Sequence, residues 1–132
     1  MAIQRAFPSL QCLFDASSLI NIERLKKMSF LRRRKSEVRI PEKVADEVNQ
    51  HGTPLRKFLV RFPDVVTGFK DNKEAEEYLR ILAQPGIHKG EAAAIAMAVT
   101  RRLRLVVDDN RPREKANSHG VQTLSWKEFV ES

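Results

Sequence analysis

The sequence lacks most of the features that mark secreted, zinc-binding or membrane proteins. Cys12 is its only cysteine, so the chain cannot form an internal disulfide, and a cysteine cluster for zinc is excluded. No stretch has the roughly 20 consecutive apolar residues that a membrane helix needs. Segment 1–10 has no apolar core of the signal-peptide type. We therefore expect a cytoplasmic protein without a membrane partner, in which Cys12 packs as a small buried hydrophobe.

Repeats, low-complexity segments and breaks in composition are also missing, which favours a single domain over residues 1–132. That length can bury a core without disulfides or a structural metal. The net charge of +7 favours polyanionic partners, of which nucleic acid is the commonest in the cytoplasm. Arg32–Lys35, together with Arg101, Arg102 and Arg104, are candidates for phosphate contacts, and the alternative is a solvated charged face.

Apolar runs separated by turn residues predict strands that alternate with helices. Strands are expected at Leu10–Phe14, Val38–Ile40, Val65–Val66, Leu103–Val107 and Gly120–Thr123. Helices are expected over Leu19–Leu25, from Pro41 to near Gly52, and over Leu55–Val60, Lys73–Leu82, Glu91–Arg102 and Pro112–Ser118, with a last one capped by Ser125. This alternation predicts a parallel sheet with helices on both faces, and sites beyond the carboxyl ends of its strands.

Three helical segments carry further expectations. Glu91–Arg102 is apolar nearly all round, so it should be packed on most of its sides. In Lys73–Leu82, one packed side is expected to hold Ala75, Tyr78, Leu79 and Leu82. Trp126 is expected to pack the terminal helix, whereas the basic run Leu31–Lys35 is expected to be a solvated segment.

Carboxylates directly follow two of the predicted buried strands. Asp15 follows the first strand, and Asp108 and Asp109 follow Leu103–Val107. If these strands are neighbours, the carboxylates meet at one edge, where they would repel each other and resist ionisation. A divalent cation would remove that penalty, and oxygen ligands alone select Mg²⁺ or Mn²⁺ over zinc or copper. Such ions activate water and clamp a phosphodiester for in-line attack.

Two predicted helices carry further acids. Glu47 borders the buried face that Val44 and Val48 define, and Glu91 opens the most apolar helix. Every acid also has an ordinary interpretation: a helix cap for Asp15, a surface residue for Glu47, a partner of the helix dipole for Glu91, and turn residues for Asp108 and Asp109.

Three basic residues lie near these acids in the sequence. Arg111 and Arg113 follow Asp109 closely and are better candidates for phosphate contacts than the other arginines. His88 precedes Glu91, but a lone histidine is more often structural or merely exposed.

Four segments in chain order resemble the motifs of the PIN-domain family, which includes the VapC-type toxins of toxin–antitoxin pairs. They are Phe14–Asn21, Ile40–Val48, Gly86–Ala98 and Leu105–Arg111, and the resemblance spans about Leu13 to Val130. The first opens with an aspartate and a serine two residues on, the second carries an acid on its helix, and the fourth is a final strand with its acid. In the third, Gly-Glu replaces the aspartate that more commonly opens the helix.

The resemblance implies that Asp15, Glu47, Glu91 and Asp109 hold the metal and that Ser17 supports the site or its water. Two departures affect the last motif. Val107 stands where the family often has threonine or serine, and the doubled Asp108-Asp109 leaves the register open by one residue. Asp109 matches the family spacing better, and Asp108 is the alternative ligand.

By the same resemblance, we expect a PIN-like three-layer α/β/α fold whose central, mostly parallel sheet has four or five strands. The implied activity is that of a metal-dependent endoribonuclease using Mg²⁺ or Mn²⁺, the toxin of a type II toxin–antitoxin module. RNA, a cognate antitoxin protein and a second copy of the chain are the implied partners. The alternative is a catalytically silent PIN fold that binds RNA or protein. A haloacid-dehalogenase-type phosphatase fits poorly because Ser17 stands where its second aspartate belongs. A receiver domain would carry its acid pair after the first strand.

Overall fold

A computed structural model of the protein describes residues 11–50 and 53–132. Its core is a five-stranded sheet, parallel throughout, with the strand order β3-β2-β1-β4-β5. The strands are β1 (Cys12–Phe14), β2 (Val38–Pro41), β3 (Val66–Thr67), β4 (Arg104–Val106) and β5 (Thr123–Leu124). The described helices are α1 (Ala16–Arg24), α2 (Met28–Arg33), α3 (Glu42–Val48), α4 (Thr53–Arg61), α5 (Asn72–Leu82), α6 (Lys89–Arg101), α7 (Asn110–Ser118) and α8 (Trp126–Glu131).

The helices form a layer on each side of the sheet, which confirms the predicted three-layer α/β/α architecture. Successive strand residues point to opposite faces. Cys12 and Phe14 therefore enter one hydrophobic cluster with residues of α1 to α4 and α8, while Leu13 enters a second cluster with residues of α5, α6 and α7. Because β1 is buried on both faces and paired with β2 and β4, its ends are fixed within the fold.

Helix α6 lies almost entirely within the core, as predicted from its apolar composition. Residues 92–98 are all buried, and five of these seven are alanines, which allow the helix backbone close to the sheet and to its neighbours. The helix ends at Arg101, and Arg102 then adopts a left-handed backbone conformation with φ 57°. Trp126 and Cys12 are buried as expected, and Ser125 and Glu128 form the predicted capping box.

The predicted packed side of α5 was partly wrong, because Leu79 is 60% exposed. Tyr78 is buried as expected, Ala75 and Leu82 are half-buried, and Glu74 and Ile81 are the other buried positions. The carboxylate of Glu74 is fully buried because Arg101 of α6 forms hydrogen bonds of 2.7 and 2.9 Å with it. Burial favours a raised pKa for Glu74, but its hydrogen bonds from Arg101 and Thr100 lower the pKa overall.

The basic run Leu31–Lys35 is not simply the solvated segment that its composition predicts. Its first three residues belong to α2, and Leu31 is completely buried. Arg34 pairs with Glu37 at 2.7 Å and lies over the ring of Phe129. Leu31 therefore anchors this helix in the core, while Arg32 and Arg33 stay exposed.

Some predicted boundaries also change. The last strand is Thr123–Leu124 instead of Gly120–Thr123, because Gly120 has φ 80° and closes the turn after α7. Helix α3 ends at Val48, whereas the expected end near Gly52 and the expected strand start at Leu10 lie outside the described residues. Within the described ranges, no helix has the length and apolar character required to cross a membrane.

Candidate active site

An acidic pocket opens beyond the carboxyl ends of β1 and β4. The chain order of the strands reverses on either side of β1, which is the usual position of a site in an open parallel sheet. The pocket has a volume of about 300 Å³. It is lined by Asp15, Ala16, Ser17, Ile20, Glu47, His88, Glu91, Asp109, Arg111 and Pro112. Four acids from four separate elements therefore face one cavity, and two of them, Asp15 and Asp109, follow the ends of predicted strands.

Asp15 is the most buried of the four acids, with 7% of its surface exposed. Its backbone N–H donates to the carbonyl oxygen of Val106 at 2.9 Å, which fixes it against β4. As the N-cap of α1, its Oδ2 accepts bonds from the Ser17 backbone N–H at 3.4 Å and from the Ser17 hydroxyl at 3.1 Å. Asp15 thus caps a helix, which was its ordinary interpretation, and also lines the pocket.

The electrostatic environment of Asp15 opposes its ionisation. Its pKa is raised from 3.8 to about 6, mainly by burial and in part by the charges of Glu91 and Glu47, while the bonds from Ser17 oppose the rise. Carboxylates that repel each other in a partly dry pocket attract cations or protons. The pocket therefore favours a positively charged ligand.

Ser17 joins the ends of the two central strands. Its hydroxyl donates to Asp15 and accepts a bond of 3.2 Å from the backbone N–H of Asp108. The neighbouring Ser18 hydroxyl lies 2.8 Å from the carbonyl oxygen of Val106, to which it donates. Both serines thus hold the start of α1 on the end of β4.

Glu47 and Glu91 come together because α3 packs closely against the start of α6. A Cβ atom at Gly90 would lie 2.4 Å from Oε1 of Glu47 and 3.3 Å from a methyl group of Val44, so only glycine leaves this space. Burial raises the pKa of Glu91, His88 and Arg111 lower it, and Glu47 raises it. Glu91 is half-buried, whereas Glu47 is exposed.

Asp108 and Asp109, adjacent in sequence, lie in different environments. Asp109 is exposed and lines the pocket, and as the N-cap of α7 it makes no side-chain capping bond. Asp108 accepts a bond of 2.6 Å from the Asn21 side chain and one of 2.9 Å from the Trp126 backbone N–H. Its two carboxylate oxygens therefore hold α1 and α8 at the end of β4, and Asp108 lines a different cavity.

The basic residues near the pocket also differ in their roles. Arg111 is exposed at the pocket, and its Nη2 donates to the carbonyl oxygen of Gly86 at 2.7 Å. Gly86 has φ 75°, and a Cβ there would lie 2.1 Å from that nitrogen. Arg113 donates to the Val107 carbonyl oxygen at 2.8 Å, which makes it part of the strand end. His88 is exposed and forms the N-cap of α6.

Gly90 and Asn21 also support the site, although neither was predicted as a site residue. The sequence does give an indication for Gly90. A glycine inside the first turn of a helix costs up to about 1 kcal/mol relative to alanine, so its presence there indicates that another part of the chain packs closely against the helix. The sequence gives no such indication for Asn21, since an asparagine on a helix has many possible partners. Its bond to Asp108 follows only from the packing of α1 beside β4.

The pocket residues can be compared with the needs of a divalent cation. As arranged, no three Asp, Glu, His or Cys side chains within residues 11–50 and 53–132 stand close enough to hold one ion. The chemistry of the donor set nevertheless fits, since four carboxylates face one cavity, and burial together with the charges of Glu91 and Glu47 raises the pKa of Asp15 to about 6. Neither Glu47 nor Asp109 has a side-chain hydrogen bond to another described residue, so both carboxylates remain available as ligands.

The five-stranded parallel sheet with helices on both sides is a three-layer α/β/α fold, and its acidic pocket lies beyond the central strand. A family model named DUF3368 and described as a PIN domain matches residues 11–125. The chain therefore belongs to the PIN-domain family. PIN domains are generally nucleases and typically use divalent metal ions. A comparison with curated proteins gave no match.

Proposed function

We propose that the protein is a metal-dependent endoribonuclease that hydrolyses RNA phosphodiester bonds in the acidic pocket. The observation that carries this proposal is the convergence of four carboxylates from four elements at the carboxyl ends of β1 and β4. Carboxylates gathered in one pocket repel each other, and a protein that served only as a scaffold would gain nothing from this repulsion. The proposed ligands of Mg²⁺ or Mn²⁺ are Asp15, Glu47, Glu91 and Asp109.

When bound, the metal would supply Lewis-acid polarisation of a phosphoryl oxygen and a more acidic water. The residues of the chain would prepare the pocket for this chemistry. Ser17 holds the Asp15 carboxylate against the strand ends, which fixes one ligand in advance. Arg111 is exposed at the pocket, where its guanidinium group can bind an RNA phosphate.

Asp109 is the proposed ligand in preference to Asp108. Both oxygens of Asp108 already accept hydrogen bonds from Asn21 and Trp126, whereas Asp109 faces the pocket without such a bond. Asp109→Asn should lower the rate of Mn²⁺-dependent cleavage by at least about 10- to 100-fold, the loss typical even of groups that only support a metal ligand. Asp108→Asn should leave the cleavage rate of the folded protein within a fewfold of wild type. The reverse ranking of the two variants would contradict the assignment.

We further propose that the nuclease is the toxin of a type II toxin–antitoxin module and acts in the cytoplasm. The support is the resemblance of four motifs to those of VapC-type toxins. A cognate antitoxin protein and a second copy of the chain are the proposed partners. Expression of the chain in a bacterial host should arrest growth, and Asp15→Asn should relieve the arrest. Growth that is unaffected by the active nuclease would contradict the toxin role without affecting the nuclease proposal.

One observation supports a second candidate function. Among the described residues, no three acidic side chains stand within reach of one ion. This arrangement would suit a PIN fold that binds RNA or protein without cutting it. Thermal unfolding with and without Mn²⁺ separates the two candidates. Metal binding to the folded state stabilises it by RT ln(1 + c/Kd), where c is the concentration of free Mn²⁺, so the melting temperature should rise with Mn²⁺ concentration, whereas a silent module should show no metal dependence.

The decisive experiment is cleavage of mixed cellular RNA by the purified protein, with Mn²⁺, with Mg²⁺ and with chelator. The variants are Asp15→Asn and, as a matched control, Asp46→Asn, which removes an exposed acid of α3 that does not line the pocket. We expect metal-dependent cutting that Asp15→Asn abolishes and Asp46→Asn preserves. Cutting that survives Asp15→Asn would contradict the proposed site. The absence of both cutting and metal binding would favour the silent module.

A further inference from the structure

The positive charge of the protein is concentrated in two segments. Residues 24–36 contain seven Lys or Arg residues and residues 53–62 contain three, and neither segment contains an Asp or Glu. The rest of the chain holds 14 Lys and Arg against 17 Asp and Glu, so the net charge of +7 comes entirely from these two segments.

The two segments lie side by side in the fold. Oε2 of Glu23, near the end of α1, accepts a bond of 2.9 Å from the Leu55 backbone N–H at the start of α4. Helices α2 and α4 also contact each other, and a cavity of about 250 Å³ is lined by residues of both and of the turn that follows α4. The lining residues are Arg32, Pro54, Lys57, Phe58, Arg61 and Phe62.

Three cations of these segments, Arg32, Lys57 and Arg61, line this cavity. We call the exposed cations of the two adjoining segments the basic surface. It consists of Arg24, Lys26, Lys27, Arg32, Arg33, Lys35, Arg56, Lys57 and Arg61, all of them exposed. Near its centre, Lys35 and Arg61 both lie over the ring of Phe62, with their charged groups 5.3 and 5.5 Å from its centroid. Like charges that share one surface repel each other, so a polyanion bound there would relieve this repulsion.

The cations of the basic surface are not neutralised by acids of the described part of the chain. None of its nine side chains forms a salt bridge with a residue in the described part of the chain. Arg34, in the same segment, pairs with Glu37, and outside it Arg101 pairs with Glu74. The fold neutralises these two arginines and leaves the nine cations open to solvent.

We infer that the basic surface binds the phosphate backbone of single-stranded RNA and holds the part of the substrate that flanks the acidic pocket. Helix α1 connects the two places, since Asp15 caps its start and Arg24 is its last residue. At about 1.5 Å per residue this helix spans roughly 14 Å, so one RNA strand can reach from the pocket to the basic surface. Phosphate contacts of this kind add affinity without sequence preference. The description of this RNA as substrate rests on the proposed function.

The test is fluorescence anisotropy with a labelled, mixed-sequence single-stranded RNA in the presence of chelator, so that binding is measured without cleavage. The test variant combines Arg32→Gln, Lys57→Gln and Arg61→Gln. The control combines Lys70→Gln, Lys73→Gln and Arg80→Gln, which remove three exposed charges on and before α5. Circular dichroism checks that both variants fold.

We expect the test variant to bind RNA about 10- to 100-fold more weakly than wild type at about 0.1 M salt. The slope of log affinity against log salt should fall by about 2, because each lost phosphate contact on a single strand contributes about 0.7. The control should lose no more than about threefold, since solvent and salt screen distant charges.

Three results would overturn the inference. Equal weakening by both variants would show only an effect of net charge, and unchanged binding by the test variant would exclude the surface. Displacement of RNA by polyglutamate at matched charge concentration would point to an acidic protein as the partner instead. If RNA binds through the basic surface but is not cleaved with Mn²⁺ or Mg²⁺, the proposed function fails and this inference stands.

Discussion

Replacement of Asp15 by asparagine should stabilise the metal-free protein, although it removes a residue from the proposed active site. Burial, together with the charges of nearby acids, raises the pKa of Asp15 from 3.8 to about 6. Since each pKa unit corresponds to about 1.36 kcal/mol, the ionised carboxylate costs the folded state roughly 3 kcal/mol at neutral pH. The asparagine side chain would carry no charge, and its oxygen could still accept the two bonds from Ser17. We therefore expect Asp15→Asn to raise the free energy of unfolding by up to about 3 kcal/mol.

The pH dependence of this gain follows from the same shift. Below pH 3.8 the carboxyl group is protonated in both folded and unfolded states, so wild type and variant should have similar stability. Between pH 3.8 and about 6 the folded wild type binds more protons than the unfolded chain, and its stability therefore falls as the pH rises. Above about pH 6 the difference from Asp15→Asn should be constant.

The assay is urea unfolding of wild type and Asp15→Asn in chelator at a series of pH values, with Asp46→Asn as the control. Because Asp46 is exposed, its replacement should change stability by no more than about 0.5 kcal/mol. A variant that is less stable than wild type at neutral pH would refute the reasoning, as would a gain that does not change with pH.

Two further substitutions test the packing around the pocket and the core. Glu74→Gln should lower the free energy of unfolding by about 3–5 kcal/mol, because Arg101, whose side chain is only 16% exposed, loses its charged partner. Urea unfolding measures this, and a loss below about 1 kcal/mol, as for exposed Glu76→Gln, would contradict it. Gly90→Ala should leave the protein folded, because alanine favours a helix by up to about 1 kcal/mol. Its methyl group would displace the Glu47 carboxylate from a position 2.4 Å away, so calorimetry should find weaker Mn²⁺ binding, similar to that of Glu47→Gln. Wild-type affinity in Gly90→Ala would contradict this role of the glycine.

Much of the fold follows from local patterns in the sequence. The apolar runs around Leu13 and Leu105 are short, end at acids and alternate with helical segments, so the parallel sheet and its two helical layers could be predicted. The exposed face of α5 could not be predicted from such patterns. Tyr78 and Leu79 look equally suited to the core, and a buried Glu74 is stable only because Arg101, 27 residues away, supplies its partner. Such pairing depends on tertiary contacts that local periodicity does not record.

The positions of the pocket acids were predictable for a related reason. Parallel strands place their carboxyl ends at one edge, so the acids after β1 and β4 had to be close once the strands were neighbours. The choice between Asp108 and Asp109 could not be made this way. It depends on Asn21 and Trp126, which belong to different elements and occupy both oxygens of Asp108. The metal-binding roles of the pocket residues stay predictions until they are measured.

The central claim is that the acidic pocket holds a divalent cation, and calorimetric titration with Mn²⁺ in the absence of RNA tests it most directly. Wild type and Asp46→Asn should bind the ion with the same affinity, whereas Asp15→Asn should show little or no binding. Equal binding by Asp15→Asn and wild type would place the ion elsewhere. The absence of binding to the wild-type protein would contradict the account and leave a PIN fold that acts without a metal.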